Sequence, residues 1–463
     1  MEMTCKEAAA VVEGKIITNV QADAKIKRLV IDSREVVAGD FFIPLPGEHT
    51  DGHHFMKEAA EKGAVGCFMN RSAKVDVPEG MCVIQVEDTL QALQKLARAY
   101  RLRFNLPVVG VTGSVGKTTT KDLIAAILSA RYNVLRTEGN LNNEIGLPLM
   151  LSSLSKEVEV AVLEMGMSGR GEIALLAYLA APSIGVITNI GESHLEMLGS
   201  REGIAQAKAE LLSALPADGA AIVNAEEALL KPYLKNLKCK VITFGCSPQA
   251  AIRCIEVGTK QGAKMVRIEQ ENYQPIIVEV PLPGRHNLYN LLAAVAVARE
   301  LGLTNEEIKS GLKRVEISAM RLEMVQLPSG YNIINDAYNA SPTSMAAALD
   351  VLAEKAGTSG KIAVLGDMLE LGEMEVEGHR RIGKLAAKLN LKALLVMGIR
   401  AQMIAQAAEE AGLSKERIFS CKSHFAAAKI INRIAQPGDW ILLKGSRGMR
   451  MEEVLTVLRR ELE

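Results

Sequence analysis

Short apolar runs alternate with longer helical patterns through most of this 463-residue chain. The runs are rich in valine and isoleucine, and Gly, Asp or Asn commonly bounds them. Continuous apolar runs of this length are typical of parallel strands that are buried on both faces. Strand, helix and strand in repeated order predict an α/β fold. The clearest runs are 108–111, 159–164, 184–189, 220–224, 362–366 and 440–444.

The helical patterns between these runs divide the chain into three sections. Residues 89–103 predict a helix that leads from the first section into the strand at 108. Residues 245–282 alternate in a way typical of antiparallel strands, and the third section opens with similar alternation near Ser318. We therefore expect three α/β domains, at residues 1–86, 87–317 and 318–463.

Composition and charge exclude several classes of protein. Lys plus Arg equals Asp plus Glu, at 54 each, which argues against nucleic-acid binding through bulk charge. The first seven residues carry no apolar core of a signal peptide. The longest apolar stretch, 173–187, contains Pro182 and predicts a helix and a strand rather than a membrane span. Seven scattered cysteines without a Cys-x-x-Cys pair fit the reducing cytoplasm, as packing or inert thiols.

The sharpest motif is Thr-Gly-Ser-Val-Gly-Lys-Thr-Thr at 112–119, between the strand at 108–111 and a helical pattern. Glycines let the backbone present its amides to phosphate oxygens, and the helix start adds partial positive charge. Lys117 can reach the β and γ phosphates, and the Thr118 hydroxyl can ligate magnesium. Val111 stands where the strict P-loop has its first glycine, so the motif is a variant. The alternative is a glycine-rich turn with a surface lysine.

Three further residues follow this motif along the chain. Glu164 ends a strand and His194 follows the next strand, so both belong at the edge of the sheet that carries the loop. There Glu164 could hold magnesium, although it could also be a solvated strand end. His194 could be a ligand or a structural histidine. Lys208 lies in a helical pattern, where the sequence alone indicates a solvated lysine. No Asn/Thr-Lys-x-Asp guanine motif occurs, which argues against a GTPase switch.

Together with other segments, these residues resemble the Mur ligases of peptidoglycan synthesis. The resemblance covers nearly the whole chain in a consistent order. Relatives often have Pro-Gly before the arginine that matches Arg321, where this chain has Ala319-Met320, and Ser341 replaces a usual Asn. The matching segments are Asp-Ser-Arg at 32–34, the loop at 47–53, 112–119, 137–148, Glu164, His194, Lys208, 283–290, Arg321, 336–342 and Lys-Gly-Ser-Arg at 444–447 with Met-Glu at 451–452.

The resemblance implies a role for each domain and its residues. The first domain would bind the UDP-linked substrate, the second would be a P-loop ATPase-type parallel-sheet domain, and the third a Rossmann-like domain for the acceptor. ATP would be bound by Gly113, Ser114, Val115, Gly116, Lys117, Thr118, Thr119, Asn287, Asn290, Arg321 and Asp336. The UDP-substrate would be bound by Ser33, Arg34, Asp51, Gly52, His53, Asn140, Asn142 and Asn143, and the acceptor by Tyr338, Asn339, Lys444, Ser446 and Arg447.

The resemblance also implies the chemistry and the cofactors. Two Mg²⁺ ions would be held by Thr118, Glu164, His194 and a carbamylated Lys208, and with Lys117 these residues would form the catalytic group. By themselves, Asn287 would be a helix cap and Asn290 a surface amide. ATP would phosphorylate a substrate carboxylate, and an amine would attack the acyl phosphate. No protein nucleophile is needed, and we find no Ser/His/Asp or Cys/His set. Three domains that share one site suggest closure around the substrates.

Within the family, the chain is most similar to the members that add D-alanyl-D-alanine to a UDP-N-acetylmuramoyl tripeptide. The members that add a diamino acid usually carry Asp-Asn-Pro, which is missing here, and residues 364–372 are instead typical of the dipeptide-adding group. Folylpolyglutamate synthase lacks a domain with the Asp-Ser-Arg segment. A nucleotide-regulated binding module without ligase activity is the alternative from another class. We expect a cytoplasmic monomer, and the third residue of the tripeptide stays open between lysine and diaminopimelate.

Overall fold

The computed structural model describes residues 1–47, 50–260 and 263–460 and contains three sheets, one within each section of the chain. The α/β prediction is confirmed. Apolar side chains fill the spaces between the sheets and the helices that cover them.

The first sheet is small and nearly all parallel. Strand β1 alone runs antiparallel, and the order across the sheet is β1-β5-β4-β3-β2. A capping box of Thr4 and Glu7 begins the first helix. The elements are β1 (Lys15–Thr18), β2 (Leu29–Val30), β3 (Phe41–Phe42), β4 (Gly66–Asn70), β5 (Cys82–Val86), α1 (Cys5–Val12) and α2 (Met56–Glu61).

Helix α3 (Thr89–Arg101) is where the first and second sections meet. Asp88 caps it by accepting a hydrogen bond from the Gln91 amide, and its buried face includes Leu93 and Leu96. It contacts α1 and also α5 (Gly146–Ser152) and α6 (Glu172–Ala180) of the next section. On α3, Gln94 donates a hydrogen bond of 3.1 Å to the carbonyl of Glu144.

The second sheet has nine strands. Its order is β14-β13-β12-β11-β10-β9-β6-β8-β7, with parallel pairing from β7 to β12. The last three strands pair antiparallel, as the alternation at 245–282 predicts. The strands are β6 (Val108–Thr112), β7 (Val134–Arg136), β8 (Val160–Glu164), β9 (Ile184–Ile187), β10 (Ala220–Asn224), β11 (Lys240–Gly245), β12 (Ile252–Lys260), β13 (Ala263–Gln270) and β14 (Ile276–Glu279).

Helices cover both faces of this sheet. The longest, α10, is almost entirely buried and packs along α4, the helix that follows the phosphate loop. Besides α5 and α6, the helices of this section are α4 (Lys117–Leu128), α7 (Leu195–Leu198), α8 (Arg201–Ser213), α9 (Lys231–Leu234), α10 (Arg285–Glu300) and α11 (Asn305–Leu312).

The third sheet is parallel except for one edge strand. Its order is β15-β16-β20-β17-β18-β19, and β15 pairs antiparallel with β16. The elements are β15 (Glu323–Gln326), β16 (Asn332–Asn335), β17 (Lys361–Gly366), β18 (Ala393–Met397), β19 (Ile418–Cys421), β20 (Trp440–Lys444), α12 (Pro342–Ala356), α13 (Glu375–Lys388), α14 (Gln402–Glu410), α15 (His424–Ile434) and α16 (Glu452–Arg460).

Polar contacts tie the third section to the second. Ser318 donates two hydrogen bonds, from its amide and hydroxyl, to Asp122 of α4 at 3.0 and 2.8 Å. Arg381 of α13 pairs with Glu192, from the loop after β9, at 2.8 Å. Within the described ranges, no helix combines the length and apolar character needed to cross a membrane. All seven cysteines are free thiols, and all except Cys246 are buried.

Candidate active site

A cavity of about 450 Å³ opens where the second and third sections face each other. Residues from both sections line it, and most of the predicted site residues are among them. They are Ser114, Val115, Gly116, Lys117, Thr118, Thr119, Asn142, Asn143, Glu164, His194, Asn287, Asn290, Arg321, Asp336, Tyr338, Asn339 and Lys444.

The order of the strands explains why the polar groups meet here. Strand β6, which ends in the phosphate loop, lies between β8 and β9 and is parallel to both. Glu164 is the last residue of β8, and His194 lies in the loop after β9. Because parallel strands end at one edge of a sheet, loop, acid and imidazole share that edge, as the sequence predicts.

The phosphate loop turns directly into α4. Gly116 adopts a left-handed conformation (φ 83°) as the N-cap, and the first residues of the helix line the cavity. Lys117 Nζ donates a hydrogen bond of 3.0 Å to the Gly113 carbonyl. Burial lowers the pKa of Lys117, and Arg321 lowers it further, while Glu164 opposes the shift. The strand–loop–helix context of the variant motif is therefore present, and a surface lysine on a simple turn is wrong.

Two residues that the sequence analysis missed hold this loop in place. The side-chain amide of Asn189 accepts from the Val115 amide at 3.0 Å and donates to the Val115 carbonyl at 2.8 Å. The Thr188 hydroxyl donates to the same carbonyl at 2.7 Å. A Cβ on Gly113 would lie 1.9 Å from the Thr188 oxygen, so only glycine fits there. The sequence did contain a signal for these two residues, because they are a polar pair that directly follows β9 at the predicted edge of the sheet.

Glu164 is buried, so the solvated strand end is wrong. Its backbone amide donates to the Thr137 hydroxyl at 2.9 Å, and its Oε1 accepts from the Asn142 amide at 2.9 Å. Oε2 is buried without a hydrogen-bond partner. A carboxylate oxygen left unpaired beside a lysine-bearing phosphate loop is a ready ligand for a hard cation.

Lys208 is buried as well, with 1 % of its surface exposed, so the solvated helix lysine is wrong. Burial lowers the pKa of its amine well below the ordinary range, and the charge of Lys117 acts in the same direction. Burial, Lys117 and Lys208 together lower the pKa of His194 to about 4, so its imidazole is neutral at neutral pH. Lys208 does not itself line the cavity.

Asn287 and Asn290 form a buried chain of amides at the start of α10. Asn290 accepts from the Thr120 hydroxyl at 3.2 Å and donates to Asn287 at 2.9 Å, which donates in turn to the Pro283 carbonyl at 2.7 Å. Neither residue is a helix cap or a surface amide, because Gly284 is the N-cap and both asparagines are buried.

The third section contributes a cluster of opposite charges. Lys444 is buried and pairs with Asp336 at 2.5 Å, while also donating to the Asn339 carbonyl at 3.0 Å. The Arg321 guanidinium stacks over the Tyr338 ring with 4.0 Å to its centroid. These contacts fix the polar wall that faces the phosphate loop.

Several predicted residues do not line this cavity. Gly113 is buried within the loop, and Asn140 is exposed. Ser446 is buried, where its hydroxyl accepts from the Leu369 amide, and Arg447 pairs with Glu452 at 2.6 Å. Residues that do line it, although they were not predicted as site residues, include Glu172, Ser193 and His286.

The predicted UDP-substrate residues of the first section lie apart from this cavity, in two turns. Arg34 is exposed and pairs with Asp32 at 2.6 Å, and the Ser33 hydroxyl donates to Glu58 at 2.8 Å. In the second turn, Asp51 lies 2.6 Å from Nδ1 of the buried His53, whose Nε2 accepts from the Asn70 amide. Gly52 lies between Asp51 and His53 in this turn. Glu48 and His49 of the predicted loop lie outside the described residues.

Three family models match the chain in order. Residues 25–101 match the Mur ligase family catalytic domain, 111–298 the Mur ligase middle domain, and 320–447 the Mur ligase glutamate ligase domain. A Bacillus subtilis protein named UDP-N-acetylmuramoyl-tripeptide–D-alanyl-D-alanine ligase is 40% identical over 460 residues, which is 98% of both chains.

Solved structures agree with the sequence matches. A crystal structure of MurF from Acinetobacter baumannii covers 99% of both chains with a TM-score of 0.89 and 30% identity. The MurF ligase from Thermotoga maritima in complex with ADP has a TM-score of 0.82 and 31% identity, and covers 94% of this chain and 97% of its own. The chain belongs to the Mur ligase family, in the group of the UDP-N-acetylmuramoyl-tripeptide–D-alanyl-D-alanine ligases.

Proposed function

We propose that this chain uses ATP to join the terminal carboxylate of UDP-N-acetylmuramoyl-tripeptide to the amine of D-alanyl-D-alanine. The observation that carries the proposal is the shared wall of the cavity. The phosphate loop, Glu164 and His194 come from one section, while Asp336 and Lys444 come from another. We infer the two substrates from the group of ligases to which the chain belongs.

The loop and α4 would hold the phosphates of ATP. Gly113, Ser114, Val115, Gly116 and Thr119 shape the loop, whose amides and helix dipole favour anions. Lys117 would leave the Gly113 carbonyl for the β and γ phosphates. Asn287 and Asn290 would approach adenine, Asp336 the ribose and Arg321 the phosphates. The ADP complex of the Thermotoga maritima MurF supports nucleotide binding by this chain.

We infer that the residues present would hold two magnesium ions. Oε2 of Glu164 is a buried and unpaired oxygen, and Thr118 beside Lys117 offers a hydroxyl. Thr118 and Glu164 would hold one ion, and the neutral His194 with a carbamylated Lys208 would hold the other. When bound, the ions would neutralise the charge that develops on the transferring phosphoryl group.

Lys208 is suited to carbamylation because burial lowers the pKa of its amine well below the ordinary range, which favours the neutral and nucleophilic form. The nitrogen lone pair would attack the carbon of CO₂, a proton would leave, and the product is an anionic carbamate. ¹³C NMR with labelled bicarbonate should show a carbamate carbon that disappears in Lys208→Ala. Lys121 is the matched control, because it is equally buried but pairs with Asp122 at 2.9 Å, and Lys121→Ala should keep the signal. A signal that survives Lys208→Ala would reject the modification.

The chemistry requires positioning and charge neutralisation rather than a protein nucleophile. A carboxylate oxygen of the tripeptide attacks the γ phosphorus, and the bond to ADP breaks. The dipeptide amine then attacks the acyl carbon, loses a proton, and phosphate leaves as the amide forms. Lys117 would stabilise the phosphoryl charge in the first step.

The remaining predicted residues would bind the other substrates. Ser33, Arg34, Asp51, Gly52 and His53 would hold the UDP moiety, with Asn140, Asn142 and Asn143 directing the peptide. The dipeptide would be bound by Tyr338, Asn339, Lys444, Ser446 and Arg447. We propose that the enzyme works in the cytoplasm as a monomer and closes its domains around the substrates. Scattering curves that stay unchanged when an ATP analogue and the UDP-substrate are added would contradict closure.

Phosphate release from ATP tests the reaction. With magnesium and UDP-N-acetylmuramoyl-tripeptide, release should require D-alanyl-D-alanine, and the product should be heavier by the dipeptide less water. Release with a single amino acid and a shorter UDP-peptide would move the chain to another Mur ligase activity. If no pair of substrates gives release, the nucleotide-regulated binding module becomes the better interpretation.

A further inference from the structure

A turn of the third section is pressed against the loop that carries His194. The Glu196 amide donates to the Glu370 carbonyl at 3.4 Å, and α7 contacts the turn at 372–374. A Cβ on Gly372 would lie 3.0 Å from the Cα of Glu196. The two backbones therefore approach as closely as packing allows.

The approach brings the Glu370 carboxylate to the imidazole. Oε2 of Glu370 lies 2.9 Å from Nδ1 of His194, and the Glu370 side chain is 60% exposed. Nδ1 is buried, and the oxygen lies out of line with its N–H, so no aligned hydrogen bond forms. Because most of the Glu370 side chain is exposed, its carboxylate has room to turn into line with the N–H.

The two nitrogens of His194 therefore have different surroundings. The ring lines the cavity, yet Nδ1 is buried beside Glu370, which leaves Nε2 as the nitrogen open to a ligand. Both His194 (φ 64°) and Glu370 (φ 62°) adopt left-handed backbone conformations that non-glycine residues rarely adopt. Such conformations persist when the surrounding structure fixes them, and they gather at functional sites.

Building on the proposed function, we propose that Glu370 is a positioning residue that accepts the Nδ1–H of His194 and so keeps the Nε2 lone pair free for the metal. A carboxylate behind a metal-binding histidine fixes both its tautomer and its ring orientation. Without Glu370, the proton can sit on Nε2 and block that nitrogen.

The inference links the two halves of the site. Glu370 belongs to the third section, and His194 to the second, so the histidine is oriented only when these sections are in contact. The pair of Arg381 with Glu192 lies at the same interface and supports the contact. The domain that carries the acceptor residues thereby prepares the metal site of its neighbour.

The tautomer can be measured without metal or turnover. In protein labelled with ¹⁵N-histidine and stripped of metal, with His194 assigned by His194→Asn, we expect the proton on Nδ1. Glu370→Ala should move it to Nε2, whereas Glu370→Gln, whose amide oxygen still accepts, should keep it on Nδ1. Glu373→Ala removes an exposed carboxylate three residues away and should change nothing.

The magnesium dependence gives the second measurement. Glu370→Ala should raise the Mg²⁺ concentration for half-maximal turnover about tenfold or more, with kcat at saturating Mg²⁺ close to that of the parent. Glu370→Gln should recover most of this loss. A proton that stays on Nδ1 in Glu370→Ala, or a change in kcat alone, would overturn the inference. Absence of turnover in the parent protein would reject the proposed ligase while the tautomer still decides the role of Glu370.

Discussion

Asn189 provides the sharpest test of how the phosphate loop is held. Its side chain makes two hydrogen bonds to Val115, at 3.0 and 2.8 Å, in the middle of the loop. Asn189→Ala removes both bonds. The Val115 carbonyl keeps the Thr188 hydroxyl as a partner, but the Val115 amide loses its only side-chain partner among the described residues.

The magnitude follows from these contacts. A lost hydrogen bond costs about 1 kcal/mol, and an unpaired donor costs about 1–3 kcal/mol when buried, with the lower part of this range applying to the part-buried Val115 amide. The ordered loop should therefore lose about 2–3 kcal/mol, and kcat/KM for ATP should fall roughly 30- to 150-fold. Thr188→Val removes one bond to a carbonyl that Asn189 still satisfies, and it should lower kcat/KM only about fivefold. The free-energy loss of the double variant should exceed the sum of the losses of the two single variants, because both residues donate to the same Val115 carbonyl.

Initial rates at saturating UDP-substrate and dipeptide would measure these effects. The matched control is Asn224→Ala, which removes the amide at the end of the neighbouring strand β10. Among the residues that the structure describes, this amide accepts from the Glu226 amide alone, at 3.0 Å. Circular dichroism should show that each variant is folded. Asn189 does not hold the loop if kcat/KM of Asn189→Ala stays within about threefold of the parent. The same conclusion follows if kcat/KM of Asn224→Ala decreases as much as that of Asn189→Ala.

Two further predictions concern the same edge of the sheet. Gly116→Ala should weaken ATP binding, as measured by calorimetry, more than about tenfold, because left-handed strain costs about 1–2 kcal/mol and a Cβ would lie 2.5 Å from Asn290 Oδ1. Gly199 is also left-handed but has open space around it, so Gly199→Ala should keep ATP binding. The pKa of His194 is about 4 in the folded chain and 6.5 as its ordinary value. Between pH 6.5 and 4 the unfolded chain therefore binds one more proton than the folded chain, and the free energy of unfolding decreases as the pH is lowered. His194→Asn should recover roughly 2–3 kcal/mol at pH 4.5 in urea unfolding without metal. His54→Gln, at an exposed histidine outside the cavity, is the matched control.

The fold was predictable because its strands are buried on both faces. Such strands appear as uninterrupted apolar runs, and β6, β8 and β9 were found in this way. Once parallel strands are identified, their carboxyl ends must meet, so the sequence placed the phosphate loop, Glu164 and His194 together before any coordinates.

Lys208 shows where residue type misled the interpretation. Lysine is almost never fully buried, so a lysine in a helix is normally solvated. Its position carried the opposite signal, because Ile204, Leu211 and Leu212 lie four residues before it and three and four after it. This spacing puts Lys208 on the apolar face of α8.

Contacts between sections were not predictable in the same way. Periodicity describes how one helix or strand meets its own core, and it contains no information about how two domains face each other. The bonds of Ser318 to Asp122, and of Arg381 to Glu192, join residues 196 and 189 positions apart. Only the three-dimensional arrangement reveals that Glu370 lies against His194.

The departure before Arg321 can be explained by backbone geometry. Where relatives often have Pro-Gly, this chain has Ala319-Met320, and Met320 adopts a left-handed conformation with φ 59°. Its carbonyl accepts from the Tyr338 amide at 3.3 Å, which holds the turn beside the Arg321–Tyr338 stack. Met320→Gly would relieve about 1–2 kcal/mol of strain, but glycine loses about 0.5–1 kcal/mol more backbone entropy on folding.

The two effects nearly cancel, so Met320→Gly should change the free energy of unfolding by less than about 1 kcal/mol, as urea titration would measure. The KM for ATP should also stay unchanged, because the turn keeps its hydrogen bond to Tyr338. A loss above about 2 kcal/mol would mean that the Met320 side chain, whose sulfur lies 3.7 Å from Arg447, stabilises the turn more than its backbone does. Arg321 would then depend on the Met320 side chain, and the glycine of the relatives would not be its equivalent.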